Sequence, residues 1–336
     1  MRLLTLFTLL SLAVSATSAT VQDLYDVRVP VADQTAESRT DALGGAFSKM
    51  LVKVSGTSVV LENNALLAEQ ATASEYVSSL RYERDDEGNL MLSVSFMADP
   101  VQKLLENSGA PLWGASRPMT QLWLAVSEDG ERVAIGPEED DWRLALNTAM
   151  KDRGLPYILP TWDLEDQMAL PLASLWGLFE QDIEAATKRY SSEGYLAGRI
   201  TAVGGYNSFS GYLTYGNQKI ALSLQGETQE ELAGQLVAAI AEHLSEKYAV
   251  IAIPGADGGH ILRVAGINTF ADYHAVLTYL KGHVAVRDAV MLGSHGNELT
   301  VSLDLSGAWP QVWDVLALDA RLAESEEEPG LYIWQQ

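Results

Sequence analysis

The chain reads as an α+β protein: several small α/β sandwich modules with mostly antiparallel sheets, the C-terminal one ferredoxin-like. Three observations predict this. Short alternating strands are interleaved with amphipathic helices along the whole sequence. Gly- and Pro-rich punctuation divides it near residues 109–118. The last 90 or so residues follow a β-α-β-β-α-β order.

The first nineteen residues (MRLLTLFTLLSLAVSATSA) carry Arg2, an apolar run from Leu3 to Val14, and small residues around Ala16 and Ala19. That is the layout of a cleavable signal peptide rather than a membrane span. It places the mature chain in the periplasm of a double-membraned bacterium, with secretion as the alternative. No later apolar run is long enough to cross a membrane. Hydrophobic residues make up 47% of the sequence, enough for real cores, and cysteine is absent, so stability rests on burial. The net charge of −23 becomes −24 when Arg2 leaves with the leader. Such a balance repels nucleic acid and anionic lipid, and neither is expected as a partner.

A first module is expected over residues 20–109. Val21 to Val31 reads as a strand. A helix follows with Leu43, Ala46, Phe47, Met50, Leu51 and Val54 on one face, closed by Gly56; Gly44 and Gly45 inside it suggest close packing on a sheet. Strands near Tyr76–Arg84 and Leu90–Phe96 flank a turn. Asp99 and Pro100 open a short helix that Gly109 ends. Residues 110–118 form a linker that carries Trp113, expected in a seam between modules.

The central module, 119–248, begins with the strand Gln121–Val126 and the helix Asp141–Arg153. Leu175 to Tyr190 reads as one helix with Trp176, Phe179, Ile183 and Ala186 on a face. Gly194–Val203, Phe209–Tyr215 and Lys219–Leu224 form an antiparallel meander, and Thr228 with Glu231 caps a long helix. The third module, 249–336, holds strands at Ile261–Ile267, Val284–Leu292, Leu299–Leu305 and Leu331–Trp334. Its helices start at Thr269 and Pro310, and Glu324–Glu328 is an acidic loop.

Several segments together resemble the domain-of-unknown-function 2066 family of exported bacterial proteins. They are Val29–Gln34 (VPVADQ), Ser38–Gly56, Leu112–Pro118 (LWGASRP), Trp123–Val126 (WLAV), Leu159–Gln167 (LPTWDLEDQ) and Arg189–Ile200. The resemblance implies an envelope protein and brings no reaction or catalytic residue with it.

Three groups of side chains are candidates for function. Asp163, Glu165 and Asp166 are the densest carboxylates in an apolar stretch. As a pair flanked by Trp162 and Trp176 they would suit acid–base hydrolysis of a glycan; as Asp163 at an N-cap with two acids in the first turn they are structural. Tyr206, Phe209, Tyr212 and Tyr215 lie among glycines: exposed, they would stack on glycan or peptide, whereas folded inwards they make an aromatic-rich hairpin. His260, His274, His283 and His295 with Asp272 or Asp288 would be a zinc set only if the fold gathers them, since no metal-ligand spacing links them. No P-loop, dinucleotide fingerprint or nucleophile elbow occurs, and no cofactor is expected. The sequence therefore points to a non-catalytic binding or scaffold component of the envelope with a protein or peptide partner, the binding residues being Tyr206, Phe209, Tyr212, Tyr215, Trp162, Asp163 and Asp166. The alternative is a glycan-directed hydrolase using Asp163, Glu165 or Asp166.

Overall fold

A computed structural model describes residues 18–85, 87–128, 130–138, 140–253 and 259–335. The leader expected over residues 1–19 lies outside them, apart from Ser18 and Ala19. Those two belong to a short strand, β1 (Ser18–Thr20).

In the first module β2 (Asp26–Pro30), β3 (Val77–Arg84) and β4 (Leu90–Phe96) form an antiparallel sheet in the order β2-β4-β3. Helix α1 (Ala36–Ser55) packs Phe47, Met50, Leu51 and Val54 into its core. Gly56 closes the helix in the left-handed region. The predicted strand from Val21 shortens to β2, because residues 22–25 form a turn. The glycines in α1 do not serve a close approach to the sheet. A Cβ on Gly45 would meet nothing within 4 Å, and one on Gly44 only the Gln70 carbonyl at 3.9 Å. Helix α2 (Asn64–Glu69) follows α1, and α3 (Ala98–Ser108) ends the module. Met97 rather than Asp99 stands at the α3 N-cap, and Asp99 lies in the first turn.

The linker is built into sheets. Its strand β5 (Pro111–Leu112) pairs with a later strand, and β6 (Ser116–Pro118) pairs with β1 in the register Ser18↔Pro118.

The central sheet contains β7 (Thr120–Glu128), β8 (Glu131–Ala134), β9 (Tyr157–Ile158), β10 (Gly194–Val203), β11 (Tyr206–Tyr215) and β12 (Gln218–Gly226). Its path is β12-β11-β10-β7-β8, with β9 beside β7. The β7–β10 and β7–β9 pairs are parallel and the rest antiparallel. Helices α4 (Asp141–Arg153) and α8 (Gln229–Tyr248) cover one face. Helices α5 (Leu164–Ala169), α6 (Leu172–Gly177) and α7 (Glu180–Thr187) cover the other. The single helix predicted over Leu175–Tyr190 is thus two. Leu178 adopts φ 55° and breaks it, and Phe179 turns outwards instead of sharing the buried face of Ile183 and Ala186.

Strand β13 (Val250–Ile251) is the partner of β5. The C-terminal module runs β14 (His260–Ala265), α9 (Phe270–Lys281), β15 (Val286–His295), β16 (Glu298–Leu305), α10 (Trp309–Ala317), β17 (Leu322–Glu324) and β18 (Leu331–Trp334). Its sheet order is β15-β16-β14-β18-β17, with β14 and β18 parallel. This is the split β-α-β topology the sequence predicts, extended by the short edge strand β17. Thr269 and Asp272 form a full capping box at α9. Among the described residues no helix is long and apolar enough to cross a membrane.

Candidate functional site

The carboxylate cluster is assembled by the start of α5 and the chain just after α7. Asp163 is the α5 N-cap and accepts from the Asp166 amide at 3.0 Å. Trp162, immediately before it, sits at φ 49°; its indole donates to the Ile135 carbonyl at 3.0 Å and its ring packs edge-on against Trp123. Arg189 binds Asp163 through both terminal nitrogens, at 2.7 and 2.6 Å, and reaches Asp166 at 2.7 Å and Glu165 at 3.6 Å. Asp166 is buried and accepts three further contacts: the Asp163-capped turn places it where the Trp162 amide (2.9 Å), the Thr161 hydroxyl (3.1 Å) and the Tyr190 hydroxyl (2.6 Å) converge with Arg189. Hydrogen bonds from Arg189 hold the Asp163 carboxyl well below the usual carboxylate range and push the guanidinium higher still. Burial, then Asp166, raises the Tyr190 phenol. All three acids answer to one cation, and the sugar-flanking wall is not formed: Trp176 instead lies under Arg132, 4.4 Å away.

The aromatic row is corrected. Only Tyr206, 61% exposed at the β10–β11 turn, faces solvent. Phe209, Tyr212 and Tyr215 are buried. Helices cover both faces of the central sheet at these positions, so Phe209 and Tyr215 turn into one core and Tyr212 into the other. Phe209 fills the space that Gly198 leaves open, where a Cβ would meet its ring at 2.0 Å. Tyr215 bonds to the Thr120 hydroxyl under α8, and Tyr212 lies beneath the Lys219 ammonium at 4.0 Å.

The histidines do not converge. His260 stacks on Trp309 at 3.9 Å, and His274 and His295 are exposed. Among the described residues no group of three or more metal-ligating side chains occurs. His283 instead meets Asp319, a residue the sequence reading passes over, at 3.5 Å. Asp319 also accepts from the hydroxyls of Ser18 and Ser116, each at 2.5 Å. These groups, with Tyr279 and Arg321, line a cavity of about 460 Å³ between the β1–β6 pair and the C-terminal module. Burial lowers the His283 imidazole against the opposing pull of Asp319, and burial raises the Tyr279 phenol. Both seryl hydroxyls are directed at the carboxylate and neither at the imidazole, so the set lacks the serine–histidine bond of an activated nucleophile.

A feature unforeseen in the sequence joins the modules. Arg117 in β6 is fully buried and, among the described residues, has no carboxylate partner. Its five N–H groups donate to backbone carbonyls: Lys53 (2.7 Å), Arg153 (2.7 Å), Gly154 (3.1 Å), Trp113 (3.2 Å) and Gly114 (3.1 Å). Lys53 is in the last turn of α1 and Arg153 is the last residue of α4, so one guanidinium caps two helix C-termini, where the macrodipoles favour a cation. Burial pulls Arg117 down to about 9, still a cation at neutral pH. The only sequence signal is an arginine inside an apolar linker, LWGASRP.

A family model described as a domain of unknown function (DUF8605) matches residues 18–114, the first module and the start of the linker. This overturns the resemblance to the domain-of-unknown-function 2066 family: the matching family is a different one and stops short of the central segments that carried much of the likeness. The segments that suggested it have structural reasons of their own: Ser38–Gly56, inside the matched residues, lies in a capped helix, and Leu159–Gln167, beyond them, is an Arg189-tied helix start. Neither a curated protein nor a solved structure matches the chain.

Proposed function

We propose that the chain is a non-catalytic binding or scaffold component of the bacterial cell envelope, exported to the periplasm and engaging an envelope protein or peptide. The observation that carries this reading is the use to which the charged clusters are put. Arg189 occupies Asp163, Glu165 and Asp166 together, and Arg117 spends every donor on tying the first module, the linker and the central module into one body. Groups so engaged support a fixed shape and surface rather than acid–base turnover, which needs a carboxyl free to gain and lose a proton.

The test joins two measurements on the mature protein. Site-specific crosslinking in living cells should capture an envelope protein that, once purified, binds saturably. Peptidoglycan and polysaccharide turnover should be absent in wild type. Turnover that disappears in a folded Asp163→Ala protein would replace this reading with the hydrolase.

A further inference from the structure

The central sheet ends on β12, and the pattern of that strand points to a second copy of the chain. Edge strands expose unpaired backbone groups and are ordinarily blunted by short length, bulges, proline or charge. The other edges here are blunted in those ways. β15 carries two register irregularities and β3 one, β2 ends at Pro30, and β8 and β17 have four and three residues. β12 carries only one of them: it runs nine residues in unbroken register with β11 and without proline, and Lys219 near its start is its one charge.

The register says which groups are free. Tyr215 and Gln218 flank the two-residue turn Gly216–Asn217 and form a hydrogen-bonded pair, so Gln218, Ile220, Leu222, Leu224 and Gly226 bond to β11. Lys219, Ala221, Ser223 and Gln225 point their N–H and C=O groups away from the sheet, with side chains exposed.

We propose that two copies join antiparallel along β12, about a two-fold axis at Leu222. In that register Lys219 faces Gln225 and Ala221 faces Ser223 as hydrogen-bonded pairs, while Ile220 faces Leu224 and Leu222 faces itself. Every outward backbone group gains a partner, giving about eight inter-chain hydrogen bonds. No charge faces a like charge. The half-buried Ile220, Leu222 and Leu224 of the two strands make one apolar ribbon on the α8 side. An isologous edge of this kind closes on itself and stops at two copies. The strong net negative charge of each chain, −23 for the full sequence, opposes approach, so association strengthens as salt is added.

Light scattering on the full mature chain tests this. The wild type should show twice the monomer mass at about 0.1 mM and fall towards the monomer on dilution. Ala221→Pro removes an outward N–H without touching the β11 ladder; it should be a monomer throughout, with the melting temperature of wild type. The register is tested in the otherwise cysteine-free chain: Leu222→Cys should oxidise to a covalent dimer and Ile220→Cys should not. A wild type that stays monomeric at 0.5 M salt, an Ala221→Pro dimer, or equal crosslinking at positions 220 and 222 would overturn the proposal.

Discussion

The guanidinium carbon of Arg117 lies 4.2 Å from the centre of the Trp113 ring, and both side chains are fully buried. The tryptophan supplies a π-face, and the ends of α1 and α4 supply carbonyls, so a cation is held by backbone carbonyls rather than by a carboxylate. A Cβ on Gly56 would meet Trp113 at 2.5 Å, which fixes the residue that ends α1. Three sequence features, an αL glycine, an aromatic linker and a stray arginine, are therefore one joint.

Arg117→Ala strands five carbonyls and opens a cavity in that joint. Unfolding in urea should show a loss of about 3–5 kcal/mol. Arg117→Lys keeps the charge but lacks the planar fork and should still lose about 2 kcal/mol. A change within error in both would remove the clamp from the account.

Asp166→Ala removes the acceptor at which Arg189, Tyr190, Thr161 and the Trp162 amide converge. The expected cost is about 2–3 kcal/mol. Glu165→Ala, on the exposed rim of the same cluster at 3.6 Å from Arg189, should leave thermal unfolding unchanged.

Glu193 accepts from the Met119 amide through one oxygen, while its other oxygen is buried without a partner. Burial pushes its carboxyl up to about 7 from 4.5. Between those values the folded chain keeps a proton that the unfolded chain has lost, so this residue lowers stability as pH rises from about 4.5 to 7. Glu193→Gln should raise the melting temperature at pH 8 and leave it nearly unchanged at pH 4. Equal effects at both would contradict the burial.

Gly45→Ala in α1 should stabilise the chain by about 0.5–1 kcal/mol, since the added methyl meets open space and a helical glycine costs chain entropy. Chemical denaturation measures it directly.

Much of the architecture is legible in local signals. Asp141–Arg153 with Gly154, Leu90–Phe96, the Thr269 cap and the C-terminal strand order all follow from periodicity and capping. The misses have tertiary causes. Nothing near Leu178 announces a left-handed residue, so two helices read as one. The aromatic positions of β11 fit a surface row and a packed hairpin equally in the sequence, because their burial depends on helices on both faces of the sheet. Asp163 as an N-cap is visible in the sequence, but Arg189, which settles the chemistry of the cluster, is 26 residues away. Asp319 and Arg117 are single polar residues whose partners come from distant segments, which no spacing can reveal.

On the proposed reading, the chain works by holding a partner on a fixed surface. The most direct measurement is the titration of the mature wild-type protein with the purified envelope protein that crosslinks to it in cells, followed by calorimetry. A saturable isotherm with a fixed stoichiometry is the predicted result. A flat titration from every crosslinked candidate would contradict it.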